Sequence, residues 1–270
     1  MATRAAGSEE QNENGRGGGV VFDDGFAQRQ QDFLDLTVNK TGNGDIYRQM
    51  ARLVRNMPVE QAPIRSGINR ILNPGDSSTT DFIVMSLVRL LHVGNQYPER
   101  LSLGIVEEIS DTLVGYRYWW DDPRPEIQIS ATENHQITYH ASEFLIGQLF
   151  PTRLFTSGKT GAQHMETSKK LILQWCRNRM RFGYSEWLSD TYYGIDIGPL
   201  VSLVDFADDE EVRNHATIAM DLLVYDIALN SYQGHFGSTK GRSPGIRNRL
   251  DLSRSMMATS MSILFGIGED

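Results

Sequence analysis

Residues able to handle protons and anions crowd into one stretch, Ser130 to Phe150, where Glu133, Asn134, His135 and His140 surround Tyr139. A carboxyl or an imidazole can give or take a proton, and a phenol can return one to a leaving oxygen. A second group follows in Phe182 to Tyr193, where Glu186, Ser189, Asp190, Tyr192 and Tyr193 stand beside Trp187. A third is Asn230 to Arg242, in which His235, Ser238, Thr239, Lys240 and Arg242 are interleaved with Gly234, Gly237 and Gly241 and suit an anion. That loop lacks the strand and the Lys-Ser/Thr ending of a phosphate-cradling loop, which argues against nucleotide binding. Two chemistries fit these residue types. Glu133 and Glu186, with Asp190 and Asp196 in reserve, form a carboxylate pair of the kind that hydrolyses a glycosidic bond. Alternatively, Asn134 and a helix N-terminus neutralise a uronate carboxylate while His135 or a tyrosine removes the adjacent proton. No metal or other cofactor is expected: His135 and His140 miss the i, i+4 spacing of a helical ligand pair.

These residues need helices to position them. Ile137, Ala141, Phe144 and Leu145 recur at helical spacing behind the first cluster, and Pro151 stops the run. Ser130 followed by Glu133 reads as a capping box, which places Asn134 and His135 in the first turn and favours an anionic ligand there. Upstream, apolar stripes suggest helices through Phe26–Leu36, Ile46–Val54, Ile64–Leu72, Ile83–Leu91 and Leu101–Leu113, punctuated by Pro58, Asn73-Pro74-Gly75 and Pro98. Downstream, His164–Arg181 reads as a long basic helix. Asp190 or Thr191 caps the next, with Pro199 early in it. Asp208 to Glu211 opens another with acids in its first turn, and Leu250–Phe265 is the last. No stretch alternates with period two, so almost no sheet is expected. Tyr116, Tyr118, Trp119 and Trp120 crowd a proline-bounded loop. One or two of these rings plug the domain surface, or Tyr116, Tyr118, Trp119 or Trp120 joins Trp187 in lining a sugar cleft.

The whole chain has 270 residues, 40% of them apolar, and a formal charge of −8. The acidic balance argues against a nucleic-acid binder. No apolar run reaches the roughly 18 residues of a membrane span, and no secretory signal is visible, so localisation stays open. Residues 1–20 read as a disordered tail and 21–270 as one helical domain. The single cysteine, Cys176, excludes an intrachain disulfide and reads as a packing residue.

Between Thr132 and Ala207 the pattern resembles the (α/α) toroid polysaccharide lyases, and the alginate lyase branch in particular. Asn134-His135 matches that family's Asn-His at the start of an inner helix. Arg181 and Tyr192 or Tyr193 match its downstream Arg and Tyr, and Pro199-Leu200 its Pro-Leu pair. The chain also resembles bacterial proteins that repeat the Glu-Asn-His, Ser-Glu-Trp and Gly-Ser-Thr-x-Gly-Arg segments. The resemblance implies an all-α fold of antiparallel helical hairpins in an (α/α) toroid or an incomplete one. It implies β-elimination on a uronate-containing polysaccharide or oligosaccharide, with Asn134, His135 and Tyr192 or Tyr193 catalytic. Arg181 or Arg242 would hold the polymer, with His235, Lys240 and the tryptophans beside them. A paired-carboxylate hydrolase, a non-catalytic helical scaffold, and further domains outside this chain stay open. On this reading Asn134, His135, Glu186, a tyrosine and Arg242 should border one cleft.

Overall fold

A computed structural model describes residues 25–39, 45–75, 79–121, 131–232, 235–236 and 257–266. Among them are ten helices: α1 Gly25–Asn39, α2 Ile46–Val54, α3 Gln61–Leu72, α4 Thr80–Gln96, α5 Leu103–Val114, α6 Glu133–Leu149, α7 Gly161–Phe182, α8 Tyr192–Phe206, α9 Glu210–Leu229 and α10 Met257–Phe265. The all-α expectation holds. The one ladder is a two-residue antiparallel pairing of β1 Ser231–Tyr232 with β2 His235–Phe236. The expected tail, residues 1–20, and the first half of the expected last helix lie outside the described residues.

Two rows of helices emerge. In one, α2 packs on α4, α4 on α6, and α6 on α8. In the other, α3 packs on α5 and α7 on α9, each also touching its neighbour in the first row. The first row is the buried one. α6 hides nearly every residue from Glu133 to Gly147, whereas α9 hides only Val212, Ala216, Ala219, Leu223 and Ile227. A helix buried on all sides must find partners for its polar residues, because an unpaired buried polar group costs about 1–3 kcal/mol. Much of the site follows from that requirement. Thr138 donates to the Asn134 carbonyl within α6, and the Trp175 indole of α7 donates to the Glu133 carbonyl at 3.1 Å.

The α6–α7 hairpin is drawn tight by two glycines. A Cβ on Gly161 would lie 2.8 Å from the Phe150 carbonyl carbon, and one on Gly147 would lie 3.1 Å from the Met165 nitrogen. Only glycine lets the two backbones approach this closely.

Several helix ends differ from expectation. The N-cap of α6 is Thr132, whose side chain makes no capping bond. Ser130 lies outside the described residues, and Glu133 turns away to other partners. The capping box belongs instead to α7, where Thr160 and Gln163 each satisfy the other's backbone N–H, so that helix begins earlier than His164. Its sequence signature, Thr-x-x-Gln, was present. Thr191 does precede α8, without a side-chain cap, and Pro199 lies well inside that helix rather than early in it. There it deprives the Ile195 carbonyl of its i+4 donor. Asp209 caps α9 as the acidic run predicts, accepting from Val212 N–H at 3.0 Å.

Candidate functional site

Glu133, Asn134 and His135 are consecutive in the first turn of α6, so successive side chains diverge by about 100°. Each finds a different partner. Glu133 Oε2 accepts from the backbone N–H and the hydroxyl of Ser185, both at 2.6 Å, and pairs with the Arg179 guanidinium. The Asn134 amide donates to Glu186 Oε2 at 2.6 Å, and its backbone N–H donates to the same oxygen at 3.3 Å. The His135 Nδ1 lies 2.6 Å from Asp81 Oδ2 at the start of α4, with its ring stacked on Phe82.

The anion expected at this helix N-terminus is therefore Glu186 of the chain itself. A carboxylate there satisfies an otherwise unpaired N–H and meets the positive end of the helix dipole.

The segment that brings Glu186 back is shaped by backbone geometry. Gly183, at φ +73°, ends α7 and turns the chain. The Tyr184 hydroxyl then donates to the Ala219 carbonyl of α9 at 2.7 Å. Leu188 adopts φ +50°, a left-handed conformation costing an ordinary residue roughly 1–2 kcal/mol, and its buried side chain holds it there. The Ser189 hydroxyl accepts from Tyr192 N–H at 3.2 Å and starts α8. Arg179 sits over the rings of Trp175 and Tyr184, with its guanidinium carbon 5.1 and 5.9 Å from their centroids.

Between the start of α6 and this segment runs a groove of about 460 Å³, lined by Thr132, Glu133, Gln136, Arg179, Glu186 and Trp187 among others. Trp187 is 56% exposed at its edge. The expected convergence of the Asn134 and Glu186 segments is thus found, but fewer of the expected residues line the groove. Asn134 is wholly buried beneath Glu186, and His135 faces α4. The His135 Nε2 makes no hydrogen bond among the described residues, whereas Asp81 is buried with Oδ1 unpartnered. Burial pushes the Asp81 carboxyl above its ordinary range, and the hydrogen bond to His135 opposes this.

Beneath the groove, Asp196 of α8 is fully buried and neither carboxyl oxygen has a hydrogen-bond partner. Burial raises its pKa well above the ordinary aspartate value. The Glu186 charge adds to this and Arg179 opposes it. A carboxyl whose folded pKa is raised stabilises the fold only while protonated, so its contribution is lost as pH rises from the unfolded value through the folded one. Asp196→Asn should therefore raise the thermal midpoint at neutral pH. The gain is about 1.4 kcal/mol for each tenfold by which burial weakens the acid. It should shrink to nothing as pH falls below the usual aspartate range. A gain that persists in acid would show that the ionised form is not the source.

Other expected residues are placed elsewhere. Tyr193 is fully buried, its hydroxyl 3.4 Å from Asp226 Oδ2, and burial pushes its phenol up to about 12. Tyr192 is half-buried in the first turn of α8. Arg181 is exposed, its guanidinium over the Phe182 ring. Arg179, two residues earlier, is the arginine that enters the site.

Tyr116 and Tyr118 are core residues. Trp119 packs edge-on against His140 at 4.5 Å, and Trp120 is exposed, but neither lines the groove. Burial lowers the His140 imidazole to about 3. Lys240, Arg242 and the side chain of His235 lie outside the described residues. Asp81, Arg179 and Ser185 were not singled out from sequence. Arg179 carried a signal, being one of two basic residues in the last turn of α7.

Among the described residues no group of three or more His, Cys, Asp or Glu side chains could hold a metal ion, and no helix is long and apolar enough to cross a membrane. Cys176 is buried, and burial pushes its thiol up to about 12, as suits a packing residue. Compared with known proteins, the chain matches no family, no curated protein and no solved structure.

Proposed function

We propose that this protein is a carbohydrate-active enzyme that holds a saccharide chain in the Glu133–Glu186 groove and hydrolyses a glycosidic bond there. One observation carries the reading. Two carboxylates from separate segments reach the same groove, and an exposed indole stands at its edge. A tryptophan face meets the C–H face of a sugar ring, and Gln136 and Ser185 offer partners for its hydroxyls. Three donors from Arg179 and Ser185 fix Glu133 at the base of the groove, where it is the carboxylate that adds to the anomeric carbon of a bound sugar. Glu186 then takes up a proton on Oε1, the oxygen that neither Asn134 bond uses, and delivers it to the departing oxygen. The alternation of a buried row α2, α4, α6, α8 with outer partners supports an incomplete (α/α) toroid as the frame.

Hydrolysis is preferred to elimination because the positive groups at hand are already matched. Asn134 and the α6 N-terminus hold Glu186, and Arg179 holds Glu133. A uronate carboxylate would have to displace one of these. Elimination remains a second reading on one specific observation. Asp81 orients His135 through Nδ1, which leaves Nε2 as the basic nitrogen.

The deciding experiment incubates the full chain with a panel of neutral and uronate polysaccharides. It follows new reducing ends and the ultraviolet absorbance of an unsaturated uronate. Reducing ends alone are the expected result. Absorbance rising with them transfers the assignment to His135 and elimination. Neither signal on a folded sample leaves a binding scaffold and removes the enzymatic reading.

A further inference from the structure

We propose a second reactive centre, away from the groove: Ser157, His164 and Glu143 form a serine–histidine–carboxylate relay that makes Ser157 a nucleophile toward small acyl esters. Ser157 lies in the connection between α6 and α7, and its Oγ is 2.6 Å from His164 Nε2. His164 Nδ1 is in turn 2.6 Å from Glu143 Oε1. Burial deepens along the relay. Ser157 is half-buried, the His164 side chain is 5% exposed and that of Glu143 is 1% exposed. This is the order a nucleophile, its base and the orienting carboxylate require.

The protonation pattern follows from the partners. A carboxylate can only accept, so His164 Nδ1 carries the hydrogen, and Nε2 is left to accept from the Ser157 hydroxyl. The imidazole is held by the rings of Phe155 at 4.6 Å and Tyr118 at 6.2 Å. The serine is held as well. Phe155 N–H donates to the Lys159 carbonyl and Gly158 N–H to the Phe155 carbonyl, both at 2.9 Å, which closes a tight turn with Gly158 at φ +83°. Lys159 N–H donates to Ser157 Oγ at 3.2 Å, where it would also steady an alkoxide. The Ser157 N–H has no hydrogen-bond partner among the described residues and is a donor for a developing oxyanion. A relay that merely anchored the loop would not need its serine at the exposed end of a buried histidine–carboxylate pair.

In the reaction, Oγ bonds to the ester carbonyl carbon while its proton passes to His164 Nε2. The carbon–oxygen bond to the alcohol then breaks, and the alcohol leaves with that proton. Water adds to the acyl-serine and gives a proton to Nε2. The bond to Oγ breaks, Oγ regains the proton, and the carboxylic acid departs. The balance is ester plus water to acid plus alcohol. A half-exposed serine at a turn suits a small acyl group such as acetyl.

The test treats the full chain with a fluorophosphonate probe and, separately, with p-nitrophenyl acetate. Expected are a probe adduct mapped to Ser157 and ester hydrolysis above the buffer rate. Both should be abolished in Ser157→Ala, and Glu143→Gln should slow hydrolysis by about 10²–10⁴-fold, as when the orienting carboxylate of such a relay is neutralised. Circular dichroism confirms that each variant is folded; Ser157→Ala removes only a half-buried hydroxyl and carries the test if Glu143→Gln fails to fold. A folded wild-type protein that is neither labelled nor faster than buffer overturns the proposal. So does labelling that persists in Ser157→Ala. Neither readout uses a polysaccharide, so the outcome is independent of the groove.

Discussion

Replacing Glu186 with glutamine is expected to lower reducing-end release by roughly 10²–10⁴-fold, the range for a lost acid–base catalyst, with the helical content unchanged. Glutamine keeps the shape of the side chain and an oxygen that can still accept from Asn134 N–H and Nδ2, which now meet Glu186 Oε2. It cannot deliver a proton. The stability cost should be modest, since a half-buried carboxylate at a helix N-terminus contributes at most about 2 kcal/mol. A sugar assay and a thermal melt on the same preparation separate the two effects. Unchanged turnover in Glu186→Gln would remove the groove as the reactive site. His135→Ala is the companion variant. It should leave hydrolysis nearly intact, because His135 faces Asp81 rather than the groove. If His135→Ala alone is inactive, the chemistry belongs to the Asp81–His135 pair.

Arg179→Met should have the largest effect on stability. The Glu133 side chain is 1% exposed and that of Arg179 13%, so the substitution strands a carboxylate in a place with little water. Breaking a buried pair from one side typically costs about 3–5 kcal/mol, because the remaining charge is uncompensated. Ser185 still donates twice to Glu133, which favours the lower end of that range. Denaturant unfolding at neutral pH measures the loss. A Glu133→Gln, Arg179→Met double variant should recover much of the loss, since no charge is then left buried. A loss below about 1 kcal/mol in the single variant would show that the pair behaves as a surface ion pair.

How much of this could be read beforehand varied with the range of the interaction involved. Helix existence was legible. Apolar residues at i, i+3 and i+4 mark α2 to α9, and Pro58, Asn73-Pro74-Gly75 and Pro151 separate them, because propensity and backbone sterics are local. The acidic first turn of α9 is legible for the same reason. The α6 cap differs from the one that the spacing predicts. Ser130 and Glu133 have the right spacing, but the competing partner for Glu133 is Arg179, on another helix.

The amino-acid sequence by itself determined that this is an all-helical chain, and that Glu133, Asn134 and Glu186 belong to polar segments at helix ends. Tertiary structure alone decided which of them meet. Asn134 and Glu186 are 52 residues apart, and no local rule relates them. Helix phase decided the rest. Arg179 and Arg181 are about 200° apart around α7, so one enters the site and the other stays in solvent. Tyr192 and Tyr193 are about 100° apart around α8, and only the second is fully buried. Both faces at these positions carry residues of the same type, so periodicity could not choose between them. The choice came from packing, where α7 docks its Trp175 side on α6 and carries Arg179 with it.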